Sequence, residues 1–277
     1  MLEFVDTHEE AAAVLVEDAE SGELNLNQDV VAQNVTIHND TTANEPYTIN
    51  GNGNTVTMVT SAYNTPTSWA DGGFVPDDAL VFSSEDGAKV TVNDLTITGD
   101  MWAVCAGNYE KSNQGRFHTE FNNVDIVNAE VFSFGGIIAP ALIAYGTLDM
   151  NDSTVYGTNR SELDPAELPV YDMGVVNNSV LNAKNSKIGT IYAWEHSQIN
   201  LENTQVDKIA IKVGYPRTGL LNVGAGATVD TLDLSGVDKR YAAATVEHIT
   251  VAESGKINKI VANGTEYASL DDWKNAP

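Results

Sequence analysis

Cysteine is almost missing from this chain: Cys105 is the single one in 277 residues, so no internal disulfide framework holds the fold together. Basic residues are scarce too, 14 against 39 acidic ones, for a formal net charge of −25. A field of that sign repels nucleic-acid phosphates and anionic membrane surfaces, so neither is an expected partner. It also disfavours breakdown of a polyanion unless calcium bridges the charges. Long apolar runs are absent. The longest, Gly136 to Tyr145, contains Pro140 and falls well short of the ~20 residues of a membrane-spanning helix. No basic stretch followed by an apolar one opens the chain, so no secretory leader is read there. P-loop, Gly-x-Ser-x-Gly and His-Glu-x-x-His spacings do not occur, and 5 scattered histidines argue against a zinc site. No cofactor is expected, calcium aside.

What the chain has instead is a repeat. In Lys89–Ile97, Val90 and Val92 alternate with polar residues, Asn93 and Asp94 interrupt, and apolar residues resume at Leu95 and Ile97. Alternation predicts half-buried strands, and the Asn-Asp pair predicts a turn between them. The box recurs at Thr119–Ile126, Leu148–Val155, Leu181–Ile188, Ile199–Val206, Leu221–Val229 and Ile249–Ile257. Anchored on Val92, Phe121, Met150, Ala183, Leu201, Val223 and Val251, the intervals are 29, 29, 33, 18, 22 and 28 residues. Units of this length bury their apolar faces only against their neighbours, which predicts one solenoid domain over 1–277.

Within it, residues 1–21 read as an N-terminal helical cap, because Thr7-His-Glu-Glu10 is a capping box ahead of Ala11–Val16. Coils fill 22–264, interrupted by loops at 60–80 and 157–172. Residues 265–277 close the chain, with Ser269 placed to cap a last turn and Leu270 and Trp273 placed to cover the final coil. Asn50-Gly-Asn-Gly-Asn54 reads as a turn, since amide oxygens without carboxylates make a poor cage for calcium.

The run of Asn-turn boxes, the Ile49–Asn54 start and the helix-first cap resemble right-handed, single-stranded parallel β-helix proteins of the pectin-lyase-like class. The ending, Asn263 to Trp273, resembles the tail of β-helical surface proteins of gut-type bacteria. The resemblance implies an all-β right-handed parallel β-helix of about ten coils. It implies a place outside the cell or on its surface, with leader and anchor outside these 277 residues. The first functional expectation is a non-catalytic, monomeric, adhesin-like module that binds carbohydrate or protein, or serves as a stalk. The class also holds glycoside hydrolases and polysaccharide lyases, so a carbohydrate-active enzyme is the alternative. The polygalacturonase boxes of that class, Asn-Thr-Asp, Asp-Asp, His-Gly and Arg-Ile-Lys on consecutive coils, are not found; Asp77-Asp78 lies in a loop.

Stacked coils turn equivalent positions into columns spaced ~4.8 Å apart. One column, Asn93, Asn122 or Asn123, Asn151, Asn185 and Asn203, reads as an amide ladder that builds the turns. Another is Thr96, Asp125, Tyr156, Gly189, Asp207, Asp230 and Asn258. There Asp207 and Asp230 fall near the ~5–5.5 Å separation of a retaining glycosidase pair, or share a calcium ion. The competing reading is a solvated edge with Asp207 neutralised by Lys208. Tyr192 and Trp194 point outward while Ile191 and Ala193 point inward, and exposed aromatics suit a covering loop, a partner or a sugar ring. Glu195, His196, the loop carboxylates Glu162 and Asp164, and Trp69 and Trp102 complete the expected ligand-binding set.

Overall fold

The computed structural model describes residues 22–32, 35–39, 47–58, 80–84, 89–101, 104–105, 117–131, 139–160, 169–194, 196–213 and 220–277. The expected N-terminal helix and nearly all of the 60–80 loop lie outside them. The described helices sit at the C-terminal end instead: a 3-10 turn at Lys239–Tyr241, α1 at Ala242–Glu247 and α2 at Leu270–Asn275. None is long and apolar enough to cross a membrane.

The later boxes become a strand, a turn and a second strand, as in Val180–Lys184 with Lys187–Trp194, Gln198–Glu202 with Gln205–Val213, and Leu221–Val223 with Thr228–Val237. Lys89–Met101 and Phe117–Val127 instead run through the first two boxes as single strands, with Asp94 and Asn123 at positive φ. Parallel pairing keeps Val92, Phe121, Met150, Ala183, Leu201, Val223 and Val251 opposite one another from coil to coil. All but Val251 are buried, and each large one contributes about 1.5–3 kcal/mol by leaving water. Between Phe82 and Phe121 the rings meet edge to face at 5.6 Å. The result is a largely parallel β protein with stacked Asn ladders, an arrangement consistent with a β-solenoid.

The turns explain the asparagines. One position per turn has left-handed backbone: Asp94, Asn123, Asp152, Asn185, Asn203 and Gly226 have φ of 50°, 55°, 51°, 50°, 47° and 69°. Asn, Asp and Gly tolerate that region; most residues do not. The expected single ladder is in fact two. Asn50 donates to Asn25, Asn93 to Asn50, Asn122 to Asn93 and Asn151 to Asn122, each at 3.0 Å. Displaced along the chain, Asn123 donates to Asp94 and Asn203 to Asn185, both at 2.8 Å. Asn122 and Asn123 are therefore not alternatives: one bonds within the strand column, the other turns the chain. Beneath them Ser153, Ser186 and Thr204 donate to the carbonyls of Asn151, Lys184 and Glu202 at 2.7, 2.8 and 2.9 Å, satisfying backbone that the turn buries.

At the C-terminal end, Lys256–Ala262 turns through Asn263 and Gly264, both at positive φ, into an antiparallel pairing with Thr265–Tyr267. Ser269 then caps α2 by accepting from the Asp272 N–H at 3.0 Å. The helix drives Trp273, 2% exposed, into the core.

Candidate functional site

Three neighbouring strands, Lys187–Trp194, Gln205–Val213 and Thr228–Val237, carry Tyr192, Trp194, Asp207 and Asp230. Ile188, Val206 and Val229 are in register, as are Thr190, Lys208 and Thr231. Between those rows the chain turns a corner, where Gly189, Asp207 and Asp230 succeed one another. The early part of that predicted column is displaced. Asp125 pairs with Thr154, and Thr154 with Lys187, so Thr96 and Asp125 belong to the row before the corner. The long coils place two apolar residues after the turn, Leu95 and Ile97, where the short coils place one.

Burial pushes the Asp207 carboxyl above its ordinary range; Lys187 opposes the shift, and the nearby Asp230 and Asp172 carboxylates reinforce it. Lys208 does not neutralise Asp207. Its Nζ bonds Asp233 Oδ2 at 2.7 Å instead. Burial alone would raise Asp233, but the hydrogen bonds from Lys208 and Ser235 hold it below the usual carboxylate range. On the far side, Asn258 donates to Asp230 Oδ1 at 2.8 Å.

The end of the 157–172 loop joins this corner to the aromatic pair. Asp172 is only 7% exposed, and its Oδ1 accepts from the Thr158 N–H at 2.9 Å. Its Oδ2 accepts from the Thr190 N–H at 2.7 Å and the Thr190 hydroxyl at 2.9 Å. This bracing seats Tyr171 against Tyr192, with ring centres 5.0 Å apart and planes tilted by 45°. Gly174 and Ala210 flank Tyr192 in register, so small neighbours leave its ring room. Lys212 Nζ lies 5.9 Å from the centre of the Trp194 ring. Burial, and then Asp233, raise the Tyr171 phenol above its ordinary range. His196 holds a left-handed φ of 60°, and its buried Nδ1 has no hydrogen-bond partner among the described residues.

Tyr192 and Trp194 thus lie on the strand segment after the corner, while Asp207 and Asp230 stand at the corner itself on the next two strands. Glu195, Glu162, Asp164, Trp69 and Trp102 lie outside the described residues. Among the described residues no group of three or more His, Cys, Asp and Glu side chains is placed to hold a metal ion. Sequence reasoning placed Tyr171 and Asp172 only at the end of the 157–172 loop, without their partners, and missed Asp233. The available signal was Gly189, a gap in a column of larger residues that something had to fill.

No protein-family model, curated protein or solved structure matches this chain.

Proposed function

We propose that the chain is a right-handed parallel β-helix module of an extracellular bacterial surface protein, and that it binds carbohydrate without covalent chemistry through the face around Tyr171, Tyr192 and Trp194. One observation carries this reading: a buried carboxylate, Asp172, fixes Tyr171 against Tyr192 next to Trp194 and the Lys208–Asp233 pair. Aromatic rings offer flat apolar surface to the C–H faces of sugars, while neighbouring charged groups bond their hydroxyls. The resemblance to β-helical surface proteins supports the habitat and the handedness. Polysaccharide retention by the wild type, Tyr192→Ala and Trp194→Ala tests the reading. Each variant is expected to bind about tenfold more weakly. Equal retention by all three disposes of the aromatic face.

A hydrolytic reading has its own observation: an Asp207 carboxyl that holds its proton more tightly than usual, beside Asp230. Such unequal carboxyl pairs serve general acid catalysis. Release of reducing ends from a panel of polysaccharides, abolished in Asp207→Asn and Asp230→Asn, is the expected result; no release by the wild type ends that reading.

A further inference from the structure

On the neighbouring sheet, reached through the turns at Asn185 and Asn203, lies a groove of about 540 Å³ to which none of the aromatic-face residues contributes. Its floor is the column Glu120, Asp149, Asn182, Asn200 and Asn222, set opposite one another on consecutive parallel strands. Successive side chains therefore stand about one strand spacing, ~4.8 Å, apart. Three of them, Asn200, Asn182 and Asp149, are wired in one direction. Gln198 Nε2 donates to Asn200 Oδ1 at 3.2 Å, Asn200 Nδ2 to Asn182 Oδ1 at 2.7 Å, and Asn182 Nδ2 to Asp149 Oδ1 at 2.7 Å. His118 Nε2 closes the chain on Asp149 Oδ2 at 2.5 Å.

An asparagine amide has two N–H donors and an oxygen with two lone pairs. The wiring takes one of each at Asn182 and at Asn200, which leaves each amide one donor and one acceptor for a ligand. The carboxylates nearby already have hydrogen-bond or ion-pair partners: Lys89 for Glu120, His118 and Asn182 for Asp149, and Lys184 for Glu202 at 2.9 Å. Asn182 and Asn200 thus give the floor two adjoining, oriented donor–acceptor pairs, one rung per coil.

We propose that this groove binds an uncharged, linear oligosaccharide that runs along the solenoid axis with about one sugar per rung. Hydroxyl groups both donate and accept, so they match what each rung offers. A polyanionic chain fits poorly, because the cations here are engaged by carboxylates and the protein carries a net charge of −25. An extended peptide fits poorly for a different reason. The floor strands Gly146–Asn151 and Val180–Lys184 are paired along both edges and have no free edge to extend. Side chains fixed by one another also lose little freedom when the ligand arrives.

Calorimetric titration of the full chain with cellohexaose and xylohexaose, and with hexagalacturonate as the anionic counterpart, tests the groove. At least one neutral hexamer is expected to bind, and its dimer to bind at least about tenfold more weakly. Asn182→Ala/Asn200→Ala and Asn222→Ala are each expected to lower hexamer affinity, the double variant by about tenfold or more, while Ser269→Ala, in the C-terminal cap, retains it. If the double variant loses its β circular dichroism, the exposed Asn222 position decides alone. Failure of both neutral hexamers to bind, tighter binding of hexagalacturonate, or wild-type affinity in the folded groove variants overturns the proposal. Loss confined to Trp194→Ala also overturns it and assigns the sugar to the aromatic face.

Discussion

Asp172 occupies the space that Gly189 leaves empty: a β-carbon at Gly189 would lie 2.2 Å from Asp172 Oδ2. The glycine is needed for room and not for backbone freedom. Gly189→Ala is therefore expected to expel the carboxylate, cost about 1–3 kcal/mol and loosen Tyr171 from Tyr192. Urea midpoints and the near-ultraviolet circular dichroism of the aromatics report both effects. Wild-type values in both measurements would show that Asp172 does not brace the loop.

The strand ladder makes a graded prediction. Asn122 donates to Asn93 and Glu120 and accepts from Asn151, whereas Asn25 at the ladder's end has fewer partners. Asn122→Ala is expected to destabilise by about 2 kcal/mol and Asn25→Ala by about 1 kcal/mol or less. Denaturant midpoints of the two variants check the order, and the reverse order contradicts a ladder that acts through its hydrogen bonds.

Acid should act on carboxylates of opposite kinds. Burial works upward on Asp149, but His118 and Asn182 outweigh it and leave its folded pKa depressed, as Lys208 and Ser235 do for Asp233. Their stabilisation is complete above the unfolded carboxylate value of about 3.9 and is lost as pH falls through the lower folded values. Asp207 has a raised folded pKa, so its ionisation above that value weakens the fold. Asp207→Asn should raise the melting temperature by about a degree or two at pH 7 and leave it unchanged at pH 3; Asp149→Asn should lower it at pH 7 and reduce the loss on acidification. Melts of both variants at the two pH values check the signs, and a lower melting temperature for Asp207→Asn at pH 7 contradicts them.

The C-terminal cap should fail locally. Trp273→Ala removes a buried indole and is expected to cost about 3–5 kcal/mol, while Ser269→Ala removes a helix cap at about 1 kcal/mol. Because stacked units are stabilised mainly by their neighbours, Trp273→Ala should expose the amides of 249–262 to hydrogen exchange before those of 117–151. Uniform loss of protection would mean that the chain unfolds as one unit.

The strands and their order were legible because apolar alternation and Asn-turns are local signals. The choice between Asn122 and Asn123 was not, since the residues are chemically identical and only φ separates them. Asp207 and Asp230 came out as neighbours because their coils share one pattern; Thr96 and Asp125 were misplaced because the longer coils carry an extra apolar residue. The contact of Tyr171 with Tyr192 depends on where a loop returns, which no periodicity encodes. The column Glu120, Asp149, Asn182, Asn200 and Asn222 is present in the sequence only as polar residues alternating with apolar ones, one in each of five strands. Only stacking makes a row of them.

The bond from Asn203 to Asn185 spans 18 residues, and after those residues the backbone has returned to the same place one layer higher. Length in such a chain is quantised. Excising 185–202 would join Lys184 to Asn203 at positions that already superimpose along the axis, and would leave the remaining layers in step. The layer removed is the one that holds Tyr192 and Trp194. A backbone of this design can therefore gain or shed a layer as a single slice; the side chains must then follow, since Asp207 would take the place that Gly189 leaves open for Asp172.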